Sequence, residues 1–192
     1  MTLQRLAAER TAGVLNASAL ARDAGIFHET ARTYLRYLEL SFQVVLLRPW
    51  FANRSKRLIR SPKLHWLDVG VWRSVTRRWD GLPGELYESA VVSEVLKVLG
   101  SFRTPWEAFH LRTHDGLEID LLLVSGDEVI AVEIKKAGRV TTADLRHLRR
   151  VENVTGRRLR LGLVIHRGTR LLQLDDHLWA VPDVLLFGEP AA

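Results

Sequence analysis

The sequence predicts a mixed α/β (α+β) protein with a helical, basic N-terminal part and a C-terminal part built around a mixed sheet. Three observations support this. Two helical patterns separated by a glycine occur before residue 41. Two strand patterns flank a turn at residues 125–128. From residue 84 onward the predicted order is helix, three strands, helix, strand.

The chain has 192 residues, enough for one or two domains. Gly81, Pro83 and Gly84 interrupt the pattern and place a predicted boundary near Asp80. We therefore expect one domain in residues 1–80 and a second in residues 81–192.

The N-terminal domain is predicted to contain a helix-turn-helix unit. Its first helix is predicted over Ala17 to Gly25, with Ser18 as a candidate N-cap and Gly25 as its end. Its second helix runs from about His28 to Leu40, with an apolar row formed by Ala31, Tyr34, Leu35 and Leu38. Strands near residues 43–47 and 64–67, joined by a basic segment, would complete a winged helix.

Positive charge is concentrated in this first domain. Residues 1–80 carry 14 Lys and Arg against 6 Asp and Glu, whereas residues 81–192 carry 14 against 16. Such a field favours contact with a nucleic-acid backbone. We expect DNA binding through a recognition helix and a basic wing. The recognition helix would contribute Arg32, Thr33 and Arg36. The wing would contribute Arg54, Lys56, Arg57, Arg60 and Lys63. The alternatives are a solvated basic surface or a helical module that packs against protein.

The C-terminal domain is organised around a predicted hairpin at residues 118–135. Ser125-Gly126-Asp127-Glu128 is a turn signal between two alternating runs. Counting back from the turn gives the pairs Val124 with Val129, Leu122 with Ala131, Asp120 with Glu133, and Glu118 with Lys135. Asp120, Glu133 and Lys135 then share one face, which we expect to be wet, while an apolar row covers the opposite face.

Two carboxylates on directly opposed residues repel each other unless a cation neutralises them. A divalent metal held by carboxylate oxygens would do so, with Lys135 beside the pair. The alternative is a surface ion pair between Glu118 and Lys135, with Asp120 and Glu133 solvated separately.

Asp120 followed across a hairpin by Glu133-Ile134-Lys135 resembles the signature of the PD-(D/E)XK nuclease fold. The resemblance implies a restriction-endonuclease-like αβββαβ domain and Mg²⁺-assisted hydrolysis of phosphodiester bonds. It assigns the metal to Asp120, Glu133 and the backbone carbonyl of Ile134. Lys135 would orient the attacking water or stabilise the charge that develops on the phosphate.

A fourth candidate, Glu88, lies in a helix predicted from Glu85 to Leu99. Its row continues through Val92 and Val95, so we expect it to face the sheet and reach the metal directly or through water. The alternative is an acid that complements the helix dipole. Glu94, on a different row, is the second choice.

Two stretches of the chain resemble the C-terminal region of a prokaryotic AAA-type ATPase family. They are Gly84-Glu85-Leu86-Tyr87-Glu88 with Val91, and residues 53–70 (NRSKRLIRSPKLHWLDVG). That region is a domain of unknown function of the DUF4143 type. In that family a P-loop ATPase module precedes a winged helix and a nuclease-like domain. No GxxxxGK[ST] motif occurs in this chain, so we expect no ATP site. The resemblance implies a separate ATPase subunit, or another copy of this chain, as a partner.

The rest of the C-terminal domain is predicted from its periodicity. Strands are expected at residues 108–113 and 158–166, with further strands at the periphery after residue 168. A helix is expected from Thr141 or Thr142 to about Thr155, with Leu145, Leu148 and Val151 as its apolar stripe. The histidines are scattered and form no metal-binding spacing.

Composition excludes several classes of protein. There is no cysteine, so neither a disulfide framework nor a thiolate metal site is available. The sequence has no apolar run of membrane-spanning length and no signal-peptide pattern at residue 1. We expect a cytoplasmic protein without membrane contact. Three functions remain: a Mg²⁺-dependent DNase, a catalytically inactive DNA-binding module, and a protein-interaction domain.

Overall fold

The computed structural model describes residues 2–51 and 61–188. Contacts divide them into two compact units, one formed by residues 2–47 and 61–93 and the other by residues 48–51 and 94–188. Each unit contains helices and strands, so the predicted mixed α/β class is confirmed. The predicted domain boundary near Asp80 stays a prediction.

The first unit combines helices with a small antiparallel sheet. Its elements are α1 (Leu3–Ala8), β1 (Gly13–Val14), α2 (Ala17–Ala24), α3 (His28–Leu40), β2 (Val44–Leu47), β3 (Lys63–Trp66) and α4 (Val69–Thr76). The strand order in its sheet is β1-β3-β2. Helix α5 (Gly84–Ser101) contributes its first half to this unit and its last residues to the second unit.

Local chemistry fixes the ends of α2. Asn16 caps it, because its side-chain oxygen accepts a hydrogen bond from the backbone N–H of Ala19 at 2.9 Å. The prediction of Ser18 as N-cap is wrong, since Ser18 already lies inside the helix. Gly25 ends the helix in the left-handed conformation, with φ of 68°, as predicted.

Helix α3 has the predicted bounds and buries Ala31, Leu35 and Leu38. Tyr34, which the spacing places in the same apolar row, is not buried with them and is 52% exposed. Tyr34 packs edge-on against Tyr37 on the outside of the helix, with ring centroids 6.3 Å apart.

A buried polar network ties α5 into the first unit. The Ser89 hydroxyl lies 2.8 Å from the Thr11 hydroxyl and 3.1 Å from Nδ1 of His65. One turn later, the Ser93 hydroxyl donates to the carbonyl of Leu67 at 2.8 Å. Buried polar groups need such partners, so the first half of α5 is part of the interior of this unit.

The second unit is built on a six-stranded mixed sheet. Its strands are β4 (Glu107–Arg112), β5 (Glu118–Ser125), β6 (Glu128–Lys135), β7 (Arg158–His166), β8 (Leu172–Asp175) and β9 (Leu178–Pro182). Their order is β4-β5-β6-β7-β9-β8. Strands β4, β5 and β6 pair antiparallel, β7 is parallel to both β6 and β9, and β8 is an antiparallel edge strand.

The segment between β6 and β7 is helical but not continuous. It consists of two 3₁₀ turns, Thr142–Leu145 and Leu148–Arg150, followed by α6 (Val151–Thr155). The prediction of one unbroken helix is therefore wrong, because i to i+3 backbone bonds close the earlier turns. The predicted apolar stripe is nevertheless buried. The short helix α7 (Val184–Phe187) follows β9.

Both faces of the β5–β6 hairpin are buried. On one face, Leu122 and Ala131 belong to the same apolar cluster as Leu145, Leu148 and Val151. On the other face, Leu121, Leu123, Val132 and Ile134 are buried as well. The expectation of one wet face is wrong, because the helical segment after β6 covers it.

Within the described ranges, we find no helix with both the length and the apolar character needed to cross a bilayer.

Candidate functional site

The site is built on the β5–β6 hairpin, where the predicted pairs Val124 with Val129 and Leu122 with Ala131 are confirmed. The ladder runs from Ser125 opposite Glu128, through Val124 opposite Val129 and Leu122 opposite Ala131, to Leu121 opposite Val132. Asp120 and Glu133 come next along their strands. The turn at residues 125–128 fixes the pairing of the residues on either side of it.

The Asp120 carboxylate is held against β6. Its Oδ2 accepts a hydrogen bond from the backbone N–H of Ile134 at 2.9 Å. This bond brings the side chain of Asp120 to the Glu133-Ile134-Lys135 segment. The side chain is buried, with 8% of the residue exposed.

Glu133 is buried more completely, at 4% exposure, and two basic groups lie beside it. Lys135 Nζ is 3.8 Å from its Oε2, and His147 Nδ1 is 3.5 Å from its Oε1. Burial of a carboxylate is costly unless charged or hydrogen-bonding partners accompany it. Lys135 and, when protonated, His147 provide that compensation.

Lys135 reaches the surface from this buried pair. Its side chain is half-buried, and its Nζ also lies 3.9 Å from Oδ1 of Asp144. Asp144 is fixed in turn by Thr141, whose backbone N–H and hydroxyl both donate to Asp144 Oδ2 at 2.8 Å. The ammonium group of Lys135 is thus positioned by two carboxylates while part of it remains accessible.

The alternative prediction, an ion pair between Glu118 and Lys135, differs from the pairs in the structure. Glu118 forms an ion pair with Arg112, with Arg112 Nε 3.6 Å from Glu118 Oε2. Lys135 is engaged by Glu133 and Asp144 instead.

Asp144 and His147 were not predicted. The pattern Thr141-x-x-Asp144 is a capping sequence that could have placed Asp144 at the start of a helical turn. His147 lies between the buried stripe residues Leu145 and Leu148, and nothing in its spacing relates it to Glu133 in the sequence.

Glu88, the predicted fourth site residue, has a structural partner in the first unit. Lys63 Nζ donates to Glu88 Oε1 at 3.0 Å, and the Lys63 side chain is only 2% exposed. Lys63 was expected on an exposed basic wing, and this burial corrects that expectation. The other wing residues, Arg54, Lys56, Arg57 and Arg60, lie outside the described residues. Glu94 forms an ion pair with Lys97 at 2.6 Å.

The predicted recognition-helix residues lie on an exposed face of α3. Arg32, Thr33 and Arg36 are all exposed. The Thr33 hydroxyl donates to the carbonyl of Glu29 at 3.0 Å, and Arg32 lies 4.0 Å from the Glu29 carboxylate. The two guanidinium groups therefore lie on a surface that a ligand can reach.

The donor set near Asp120 fits Mg²⁺ in chemical type. In the residues that the structure describes, no group of three or more His, Cys, Asp or Glu side chains is arranged to hold a metal. Mg²⁺, however, binds proteins through one or two carboxylates and completes its shell with water and phosphate oxygens. Asp120, Glu133 and the Ile134 carbonyl are oxygen donors of that kind.

Comparison with known families now adds to the geometry. A family model described as a domain of unknown function, DUF4143, matches residues 83–185. The chain belongs to the DUF4143 family. The DUF4143 match includes Glu88, Asp120, Glu133 and Lys135, and the predicted resemblance to DUF4143 is confirmed. A second model, described as a domain of unknown function, DUF8612, matches residues 1–80.

Two curated relatives extend this similarity. Uncharacterized proteins of Mycobacterium bovis and Mycobacterium tuberculosis are each 32% identical to the chain over 166 residues. The match covers 85% of this chain but 37% of each relative, so the chain spans little more than a third of their length. No solved structure matches the chain.

Proposed function

We propose that the DUF4143 domain of this chain hydrolyses phosphodiester bonds in DNA with the help of Mg²⁺. The observation that carries the proposal is the approach of Asp120 to the Glu133-Ile134-Lys135 segment, where the Ile134 N–H donates to its carboxylate at 2.9 Å. Lys135 supports it further, because its ammonium group is partly exposed beside the two acids.

Each residue has a distinct role in this proposal. Asp120 and Glu133 provide the oxygen donors, and the Ile134 N–H fixes the direction of the Asp120 carboxylate. Lys135 donates hydrogen bonds to the phosphate and stabilises the charge that develops there. Bound Mg²⁺ neutralises charge on the phosphate and makes water easier to deprotonate.

The first unit supplies the proposed DNA contact. The order of its elements from α1 to β3, namely helix, strand, two helices and a pair of strands, supports a winged helix, and α4 follows this series. Exposed Arg32, Thr33 and Arg36 on α3 support this assignment. A separate ATPase subunit remains the proposed partner by family resemblance.

The test compares cleavage by the intact chain and by three variants. We expect Asp120→Asn, Glu133→Gln and Lys135→Met each to lower Mg²⁺-dependent cleavage of DNA by about a hundredfold or more. Asp127→Asn is the matched control, because it removes an exposed carboxylate from the turn of the same hairpin. Circular dichroism must show that all four variants are folded.

Metal binding gives a second readout. Mn²⁺ or Mg²⁺ at about a hundred times its dissociation constant stabilises a folded protein by about 2.7 kcal/mol. We expect this stabilisation in the wild type and in Asp127→Asn, and its loss in Asp120→Asn. Absence of both cleavage and metal-induced stabilisation in the wild type contradicts the proposal.

The second candidate is a catalytically inactive module for DNA or protein binding. It is favoured by the neighbours of Glu133, because Lys135 and His147 compensate its charge without a metal. An exposed apolar surface around α3 supports protein contact, formed by Phe27, Tyr34, Tyr37, Leu40 and Phe42. DNA retention that weakens with salt and in Arg32→Ala and Arg36→Ala, without turnover, would select DNA binding. A defined oligomer or a stable complex with an ATPase subunit, without DNA retention, would select protein contact.

A further inference from the structure

A cavity of about 380 Å³ lies at the carboxyl ends of the parallel strands in the second unit. It is formed mainly by the segments that follow β6 and β7, and its lining includes Gly138, Arg139, His166, Gly168, Thr169 and Arg170. Its volume is within the range of about 300–1,000 Å³ typical of ligand sites, and the carboxyl ends of parallel strands commonly hold ligands.

The backbones of the segments after β6 and after β7 contact each other directly. The N–H of Arg167 donates to the carbonyl of Ala137 at 3.3 Å. A Cβ atom on Gly168 would lie 2.3 Å from the carbonyl oxygen of Gly138, so no larger residue fits there without displacing one segment. The wall of the cavity is therefore a built part of the fold.

His166 supplies a buried donor to this cavity. Only 3% of the residue is exposed, and its Nδ1 accepts a hydrogen bond from the N–H of Gly168 at 2.9 Å. That bond leaves the ring proton on Nε2, which has no hydrogen-bond partner among the described residues. A buried N–H without a partner is costly, and a ligand oxygen in the cavity would satisfy it.

The charge of the lining selects an anion. Arg139 and Arg170 are exposed at the rim, and neither pairs with a carboxylate in the described parts of the chain. No Asp or Glu belongs to the described lining. The nearby Asp183 is paired with Arg167, whose Nε lies 3.8 Å from its Oδ2. Two guanidinium groups and a buried N–H match the oxygens of a phosphate.

We infer that this cavity binds a phosphate group, held by His166 Nε2 and by the guanidinium groups of Arg139 and Arg170. The Thr169 hydroxyl is available as a further donor. His166 is opposite Lys135 in the β6–β7 ladder, so the phosphate site opens at the same edge of the sheet as Lys135. The inference does not require hydrolysis at Asp120 and Glu133.

The test uses the full chain in the presence of EDTA, so that binding is separated from any metal-dependent reaction. The ¹⁵N resonance of His166 Nε2 is followed by NMR during titration with inorganic phosphate, with a 5′-phosphorylated oligonucleotide, and with the same oligonucleotide carrying a 5′-hydroxyl. We expect a saturable shift with at least one phosphate-bearing probe. Binding should persist in Asp120→Asn, even if that variant has lost cleavage.

Rim variants identify the site. We expect Arg139→Gln and Arg170→Gln each to weaken binding by about tenfold, because each removes a charged donor to phosphate. Arg103→Gln is the matched control, since it removes an exposed guanidinium elsewhere in the same unit. Equal weakening in all three variants, or no saturable shift with any probe, overturns the inference.

The three probes also distinguish the source of the phosphate. Binding of inorganic phosphate as tight as that of either oligonucleotide assigns the site to a free phosphate or phosphomonoester. A strict need for the 5′-phosphate on the oligonucleotide assigns it to a strand terminus, and equal binding of both oligonucleotides assigns it to internal phosphodiesters.

Discussion

Replacing Glu88 by Gln tests whether this residue is needed for the fold rather than for chemistry. The change removes the carboxylate 3.0 Å from the Lys63 ammonium and leaves that ammonium in a site where its side chain is 2% exposed. Loss of one partner from a buried ion pair costs about 3–5 kcal/mol. Because Glu88 itself is partly exposed, we expect the lower limit, about 3 kcal/mol.

This cost is large enough to measure by thermal unfolding. For a chain of this size, about 1 kcal/mol corresponds to a change in Tm of about 2–4 °C, so we expect Glu88→Gln to lower Tm by about 6–12 °C. Glu94→Gln is the control on the same helix. Its partner Lys97 is exposed, and surface pairs contribute about 0–1 kcal/mol.

A double-mutant cycle isolates the interaction. Lys63→Met should also destabilise the protein, and the Lys63→Met, Glu88→Gln double variant should be clearly more stable than the sum of the single effects predicts. Additive effects, or a Glu88→Gln protein as stable as Glu94→Gln, would refute the structural role. Full stability of Glu88→Gln combined with loss of metal-induced stabilisation would refute it as well.

Two further predictions concern pH. Burial raises the pKa of Glu39, and a backbone hydrogen bond from Leu46 offsets only part of this rise. The ionised form of Glu39 is therefore unfavourable in the folded state. Glu39→Gln should therefore be more stable than wild type to urea at pH 7, and the gap should close as the pH falls through the raised pKa. Hydrogen bonds from Arg158 and Arg160 lower the pKa of Glu128 below its ordinary value of 4.5. The stability that Glu128 contributes should be present above pH 4.5 and lost as the pH falls through the lowered pKa, so urea titrations of wild type and Glu128→Gln should converge in acid.

The sequence was sufficient to predict features that depend on neighbouring residues. The pairing next to the turn of the hairpin follows from the four-residue turn signal, and the bounds of α3 and β7 follow from periodicity and from the glycines that precede them. The DUF4143 relationship was also recognisable from short motifs.

Features that depend on distant residues were not predictable in this way. The burial of Asp120 and Glu133 depends on where the segment containing Leu145 and Leu148 packs, which periodicity does not specify. The contact of His147 with Glu133 has the same origin. The local pattern likewise gave no sign that Lys63 would meet Glu88, because an isolated lysine in a basic stretch is usually solvated.

The network around Ser89 shows that a segment matched by one family model is not the same as a segment with a complete interior. A fragment ending at residue 80 would carry the whole DUF8612 match, yet it would lack the hydroxyl that joins Thr11 to His65 and the acid that neutralises Lys63. The interior of the N-terminal half is completed by residues that its own family segment does not encode. A fragment of that half would have to extend into the first turns of α5 to keep these contacts.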